Sequence, residues 1–391
     1  MKIKLCRSCN SSNLIKLYSL GRQSLTGIFP PSKKTKVTKG DLSMVMCKNC
    51  KLLQLENNFN PFEMYGDNYG YMSSLNKSMV SHLNLKSLSL KKRYKFKSKD
   101  AILDIGSNDG TFLSFFNKNF NLFGCDPTIK KFKKYYRKDI NQLEDFFSAD
   151  LFKDIKFSLI TSISMFYDLP KPLEFAKQIF SILKNNGIWH IELSYMPMMI
   201  KNTSYDTICH EHLEYYSYNS LKYLFEKNGL KIFKMSENKI NGGSYRIYCK
   251  KNIKKSIKYK EKASYSEIIK FVKRVKQNKE KTVNFIKENV KRGKKIFIYG
   301  ASTKGNTLLQ YYGLTNKEIP FAAERTKTKW GKYTIGSGVK ILSEEKARKL
   351  KPDYFFVMPY GFIKEFIIRE KKWLKSGGKF LLPYPFFKVV K

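Results

Sequence analysis

Between residues 101 and 116 the chain passes from an apolar run to a cluster of small polar residues and then to an amphipathic segment, AILDIGSNDGTFLSFF. The run Ala101–Ile105 predicts a buried strand, residues 106–110 a tight glycine turn, and Thr111, with Phe112, Leu113, Phe115 and Phe116 behind it, a helix N-terminus. The alternation continues. Asn121–Cys125 is a second strand ending at Asp126, and residues 143–147 lead into a helix-like stretch. Phe157–Ile163 is a further strand, followed by a loop with Met165, Phe166 and Tyr167. Pro170 and Pro172 introduce a helix over 173–184, closed by Asn185, Asn186 and Gly187, and residues 188–193 form another strand. This βαβα rhythm predicts a parallel sheet with helices on both faces. Ligands bind at the carboxyl ends of such strands, so residues 162–167 and 192–195 are expected to face the same cleft as the glycine turn.

A second rhythm occupies the last third. A Lys/Glu-rich helical stretch over 255–293 connects to a strand at 295–299. There follow a turn, Gly300-Ala-Ser-Thr-Lys-Gly-Asn-Thr307, that opens a helix, and a strand at 319–323 ending in Glu324-Arg325. Residues 353–358 and 379–383 supply more strands. The pattern predicts a second Rossmann-like unit, either binding a nucleotide or kept as a packing copy; the Gly-x4-Gly turn alone does not decide.

Length and composition narrow this picture. A chain of 391 residues suggests two or three domains, and with 42% hydrophobic and 15% aromatic residues wholesale disorder is excluded. No stretch reaches the length of a membrane span and the N-terminus MKIKLCRSCN lacks an apolar signal segment, so the expected address is cytoplasmic, with no membrane partner. The net charge of +43 admits nucleic acid or an anionic surface as partner. Most of the excess is Lys, however, beside abundant Ile, Asn, Phe and Tyr, as an AT-rich coding sequence gives. The densest runs, 130–138 and 250–262, read as solvated faces. The charge favours an anionic ligand and identifies none.

Cys6 and Cys9 are paired as C-x2-C, and so are Cys47 and Cys50. Two knuckles can give four thiolates to one tetrahedral zinc ion, a closed sphere that leaves no water to activate, so the expected role is structural. A redox pair would sit in a thioredoxin-like βαβ context, which is absent.

Three further stretches carry candidate chemistry. Residues 56–84 hold Tyr65, Tyr69, Tyr71, Ser73 and Ser74, with Gly66 and Gly70 marking a loop before a helix near Ser73. These tyrosines either pack the cysteine module against the next domain or line a cleft at the boundary. The glycine turn reads Asp104-x-Gly106-x-Asn108-x-Gly110, with Asn in place of the middle glycine of G-x-G-x-x-G. That departure leans toward the adenosyl-methionine version of the fold, with Asp126 placed to hold ribose hydroxyls; a plain surface turn is the alternative. His210-Glu211-His212 lacks an evident third metal donor, and either histidine could be structural; a histidine beside a carboxylate, just past a cofactor sheet, also suits a general base. The stretch from Asn241 to Arg246 reads as a hairpin turn or as an anion grip.

Taken together, these residues resemble the sugar C-methyltransferase family, enzymes acting on nucleotide-linked 4-keto deoxysugars. The likeness runs nearly end to end. It rests on the four cysteines, Tyr69-x-Tyr71-x-Ser73-Ser74, the Asp104–Gly110 turn, Phe166-Tyr-Asp-Leu-Pro170, His210-Glu-His212, Gly242-Gly-Ser-x-Arg246, Tyr299-Gly-Ala-Ser-Thr-Lys-Gly-Asn-Thr307, Gly331-Lys-Tyr-Thr334 and Pro359-Tyr. The resemblance implies an α/β protein: a zinc-binding module over 1–60, an adenosyl-methionine (SAM) methyltransferase domain over 61–250, and a C-terminal Rossmann-like domain over 251–391 that helps hold the nucleotide-sugar. It implies C-methylation next to the keto group, usually at C3, with His212 as base, supported by Glu211, His210, Tyr69 and Tyr71. Candidate cofactor contacts are Asp104, Gly106, Ser107, Asn108, Gly110, Asp126, Phe147 and Phe166. Candidate substrate contacts are Arg246, Gly243, Ser244, Lys304, Asn306, Arg325 and Tyr333. The expected cofactors are S-adenosyl-L-methionine and structural zinc, and no nucleic-acid partner is expected.

Two departures stand out: many relatives carry Tyr where this chain has Cys209, and small apolar residues where it has Ser302-Thr303. Competing readings are an RNA methyltransferase, motivated by the basic charge but without an aromatic-basic nucleic-acid motif, and a nucleotide-sugar binding protein without catalysis. The sequence leaves the nucleotide, the carbon methylated and the oligomeric state open.

Overall fold

The structure is a computed structural model that describes all residues except 66–70, 153, 239, 241–242 and 262–263. Three sheets organise it. The first is antiparallel, in the order β1-β2-β3-β9, from β1 (Leu14–Ser24), β2 (Lys39–Cys47), β3 (Leu53–Leu55) and β9 (Glu214–Tyr215). The last of these strands lies far along the chain, inside the span expected for the central domain. It crosses over because Leu53 pairs with Tyr215 and Gln54 with Glu214.

The central sheet contains β4 (Ala101–Ile105), β5 (Asn121–Cys125), β6 (Ile140–Leu143), β7 (Phe157–Ile163), β8 (Leu183–Ser194), β10 (Lys231–Asn238) and β11 (Ser244–Lys250). Their order is β10-β11-β8-β7-β4-β5-β6. The strands from β4 to β8 run parallel, and β11 runs antiparallel to both its neighbours. All five residues of β4 are buried, as are six of the seven in β7, which is the near-continuous burial of a sheet covered on both faces. The helix Pro172–Ile182 lies on one face through Phe175, Ala176, Ile179 and Ile182, an i, i+3/i+4 stripe that starts with proline in its first turn.

One boundary differs from expectation. The helix stops at Ile182 and residues 183–187 already belong to β8, because Leu183 pairs with Phe157. Gly187 permits this: a Cβ there would lie 2.7 Å from the carbonyl oxygen of Phe157.

The third sheet is β14-β13-β12-β15-β16-β17, built from β12 (Ile296–Tyr299), β13 (Phe321–Glu324), β14 (Lys340–Ser343), β15 (Tyr354–Val357), β16 (Lys379–Leu382) and β17 (Lys388–Val390). Only β17 runs antiparallel. The connecting helix Tyr265–Lys291 buries Ile268, Phe271, Val275, Thr282 and Ile286 along one stripe, and Arg274 donates to Thr203 Oγ1 (2.9 Å) and the carbonyl of Ile200 (2.6 Å) in the central unit.

The units share cores. One apolar cluster runs from Leu20, Met44 and Leu53 of the first sheet through Met196 and Tyr205 of the central unit to Leu308, Tyr312 and Phe356 of the third. Polar ties reinforce it: Ser24 N–H donates to Gln310 Oε1 (2.8 Å), and the hydroxyls of Tyr205 and Tyr312 are bonded to each other.

Candidate functional site

The four paired cysteines come together, their sulfur atoms all within 4.8 Å of one another. Each pair sits in the same kind of turn. Asn10 N–H donates to the carbonyl of Cys6 and Lys51 N–H to that of Cys47, and the residue after each second cysteine has a left-handed backbone, Asn10 at φ 59° and Lys51 at φ 62°. The closest sulfurs, Cys6 with Cys50 and Cys9 with Cys47, are 3.5 Å apart, too far for a disulfide. Zinc–sulfur bonds of about 2.3 Å in a tetrahedron require sulfurs just under ~4 Å apart, so the donor set fits a structural zinc ion.

At the glycine turn, Gly106 (φ 76°) and Gly110 (φ 74°) are left-handed, and a Cβ at Gly110 would lie 2.8 Å from the Tyr136 ring. Ser107 bonds the Tyr136 hydroxyl (2.7 Å), and that hydroxyl donates to the carbonyl of Asn108. Asn108 occupies the place of the middle glycine for a reason the spacing did not show: its side chain holds another segment. Ser73 N–H donates to Asn108 Oδ1 (3.0 Å), Asn108 Nδ2 donates to the carbonyl of Tyr71 (3.1 Å), and Ser74 N–H donates to Asp109 Oδ2 (2.9 Å). Residues 71–74 are thereby strapped across the turn, with the Tyr71 side chain about half exposed. Tyr69 lies outside the described residues.

Asp126, at the end of β5, accepts from Asn108 N–H (2.9 Å) and from the N–H and hydroxyl of Thr128. Asp104, on β4, accepts from the Thr161 hydroxyl (2.5 Å), and burial pushes its carboxyl up to about 7. Phe147 is half-buried beside Phe175, with ring centroids 4.9 Å apart. Phe166 is fully buried, stacked on Tyr216 and packed edge-on against Trp189, so its side chain is part of the core.

The His-Glu-His segment runs along a small cleft lined by Tyr167, Tyr195, Thr207, His212, Glu214 and Tyr215. His212 faces this cleft. Its Nδ1 lies 2.7 Å from the carbonyl of Thr207, and its ring meets the Tyr167 ring edge-on at 4.6 Å. A carbonyl only accepts, so Nδ1 carries the proton and Nε2 holds the lone pair. Burial, with the charge of Lys304, lowers the imidazole to about 4. His210 points elsewhere, packed edge-on against Phe59 (4.7 Å) with Nε2 3.4 Å from the carbonyl of Gly40; it belongs to the joint with β2. Glu211 reaches the N-terminal unit as well: a Cβ at Gly27 would lie 2.9 Å from its Oε1, and burial raises its carboxyl.

The candidate substrate residues divide. Lys304, in the first turn of the helix Thr303–Tyr312, reaches the cleft side, with Nζ 3.9 Å from Asp206. Gly243 lines the cleft with φ +127°, and the Ser244 hydroxyl is spent on the carbonyl of Ile240. Arg246 gives its Nε to Glu192 (3.2 Å), a carboxylate that also takes bonds from His82 (2.6 Å), Lys86 (2.5 Å) and Asn238 (3.0 Å). Burial would raise the Glu192 carboxyl, but those partners hold it below the usual range. Asn306 donates to the carbonyl of Thr26, and Tyr333 N–H to that of Pro30, which places both on the joint with the N-terminal segment. Arg325 is exposed beyond β13. Ser302 caps its helix by accepting from Gly305 N–H (3.0 Å). Sequence reasoning passed over Thr207, Glu214 and Tyr215. Thr207 meets His212 locally, through its carbonyl, while the pairing of β9 with β3 sets Glu214 and Tyr215; neither contact leaves a pattern in the spacing.

Comparison with known proteins supplies the family. Residues 6–65 match a zinc binding domain, 80–234 a methyltransferase domain, and 239–385 the C-methyltransferase C-terminal domain. The C-methyltransferase NovU of Streptomyces niveus is 27% identical over 408 residues, spanning 98% of this chain and 96% of that protein. Successive parts of the chain thus match zinc-binding, methyltransferase and C-methyltransferase C-terminal domains, in an order shared with a C-methyltransferase along nearly its whole length. Among solved structures, the SAM-dependent methyltransferase of Clostridium acetobutylicum aligns with a TM-score of 0.37 at 11% identity, over 44% of this methyltransferase and 92% of its own chain. A chain from the complex of the Haloferax volcanii Trm112 activator with a methyltransferase aligns at 0.38 and 14%, over 46% and 95%.

The residues of this C-methyltransferase fit its cofactor. Asp126 uses three of about four acceptor positions and keeps one for a ribose hydroxyl, and Asp104 is a carboxyl that a nearby cation would ionise. The strap predicts the behaviour of a variant. Asn108→Ala removes two hydrogen bonds worth ~1 kcal/mol each, so amide exchange at Ser73 should accelerate roughly tenfold or more while β4 stays protected. For the thiolate site, metal analysis of the purified C-methyltransferase should find one zinc per chain. Cys47→Ser should lower that content and raise amide exchange in β3 and β9 together.

Proposed function

We propose that the enzyme methylates a carbon next to the ketone of a nucleotide-linked 4-keto deoxysugar, with His212 as the base. The observation that carries this reading is the hydrogen bond from His212 Nδ1 to the carbonyl of Thr207, which fixes the ring and turns a lone-pair nitrogen toward the cleft. A C–H bond next to a ketone breaks when a base takes the proton and positive charge offsets the oxygen of the resulting enolate. His212 Nε2 accepts the proton. Lys304, close enough to lower the His212 imidazole, supplies the charge. The same ammonium weakens the base and stabilises the enolate, so its effects on the two halves of the step oppose each other. Adenosyl-methionine, when bound, supplies the electrophilic methyl group that the enolate carbon takes up. In this reading Glu211 and Tyr71 are supporting groups, and the C-terminal unit contributes Lys304 to the site. The match to a C-methyltransferase over nearly the whole chain supports carbon as the acceptor.

Mass spectrometry on the enzyme with adenosyl-methionine and a panel of nucleotide-linked 4-keto deoxysugars in heavy water tests the reading. Methyl transfer to a panel member is expected, and His212→Ala should lower the rate roughly 10²–10⁴-fold while cofactor still binds. Near wild-type turnover by that variant would remove His212 from the role. The pH profile offers an independent check. A lowered pKa keeps the imidazole unprotonated as pH falls, so kcat/KM should hold through pH 6.5 and lose its base only near pH 4. An acid limb at the ordinary histidine value, abolished by no substitution at His212, would point to a different base.

A further inference from the structure

Glu214 is the least explained group in the cleft wall. Its residue is 1% exposed, and neither carboxylate oxygen accepts a hydrogen bond. An ion pair with Arg7 is the bland explanation, since Arg7 Nε stands 3.4 Å from Glu214 Oε1. The guanidinium, however, has given all five of its N–H groups elsewhere: Nε to Asn58 Oδ1, one terminal nitrogen to Gln54 Oε1 and the carbonyl of Leu55, the other to Asn58 Oδ1 and the carbonyl of Asn57. Arg7 offsets charge and donates no proton to Glu214. The groups nearby are also short of partners. The Tyr215 hydroxyl, Asp168 Oδ1 and Glu211 Oε2 are buried without a hydrogen bond. A buried carboxylate left without donors is costly, and such a group is retained where something else brings the donors.

We propose that Glu214 recognises a hydrogen-bond donor, a hydroxyl or a protonated amine, on the ring of the methyl acceptor. The inference rests on the reading of that acceptor as a nucleotide-linked keto sugar and narrows it to ring substituents that donate. Glu214 shares the cleft wall with His212, so the substituent it grips fixes which ring carbon is presented to Nε2. A ring bearing only methylene at that position leaves the carboxylate unpaired on binding and is rejected. Sites built to bond a polar substituent discriminate in this way far more strongly than apolar pockets.

Calorimetry on the full chain, loaded with adenosyl-homocysteine, tests this with nucleoside-diphosphate-linked 4-keto sugars in matched sets that carry a ring hydroxyl, an amine or neither. Wild type should bind a donor-bearing member at least ~10–100-fold more tightly than its deoxy partner, the equivalent of 1–3 kcal/mol for one buried bond. Glu214→Ala should bind all three members alike. Glu214→Gln keeps an acceptor oxygen and the shape, so it should retain preference for the hydroxyl and lose any preference for the amine. That variant also controls for folding, with adenosyl-homocysteine binding unchanged. Equal wild-type affinity across a set, or a preference that survives in Glu214→Ala, overturns the inference and leaves the acceptor class intact. A wild-type protein that holds adenosyl-homocysteine yet binds no panel member overturns the acceptor class itself, and this inference with it.

Discussion

Two residue pairs between β3 and β9 hold the segment that carries His212 in place. Leu53 faces Tyr215 and Gln54 faces Glu214, while Leu55 N–H reaches the carbonyl of Leu213, whose own N–H is bonded to the carbonyl of Tyr167. The segment carrying His212 is therefore held between the N-terminal sheet and the loop after β7. A strand has a side-chain period of two, so a slip of one residue in this short joint would exchange the faces of Glu214 and Tyr215. The thiolate site guards the register. Gln54 Nε2 donates to Cys6 Sγ (3.2 Å), and Arg7, between two of the cysteines, binds Gln54, Leu55, Asn57 and Asn58 at once. A thiolate site expected to be merely structural stands two contacts away from the wall of the cleft that His212 lines.

The electrostatics of the molecule are divided by depth. Its surplus of cations lies mainly on the outside, where Lys130, Lys134 and Lys138 are exposed. The interior differs: burial raises the carboxyls of Asp168 and of Glu214, which lines the cleft, well above their usual range and raises Glu211 as well. A formal charge of +43 thus describes the approach to the protein and says little about the groups that meet a bound ligand.

What the sequence disclosed follows from the range of the interactions involved. Hydrophobic runs bounded by glycine and proline depend on neighbours in the chain, and so β4, β5 and β7 coincide with the strands read from pattern. The cysteine pairs likewise carry their meaning in a spacing of three. Residues whose roles depend on long-range pairing were illegible or misplaced. Glu214 gains its position from β3, some 160 residues earlier, and Arg7 was only the filler of a knuckle. Phe166 belongs to a motif of the site and is nonetheless core, because the backbone turn there presents the next side chain, Tyr167, to the cleft. Asn108 looked like an imperfect glycine until its carboxamide was seen to hold Tyr71 and Ser73.

The shared core bears on how such a protein can be taken apart. Leu20 and Leu53 of the first sheet, Tyr205 of the central unit and Leu308 of the third lie in one apolar cluster, and β9 belongs by sequence to one unit and by hydrogen bonding to another. A chimera cut at residue 60 or 250 would keep each stretch of chain whole and still sever a strand from its sheet and a core from its other half. The unit of exchange, for recombination or for engineering, is the entire chain.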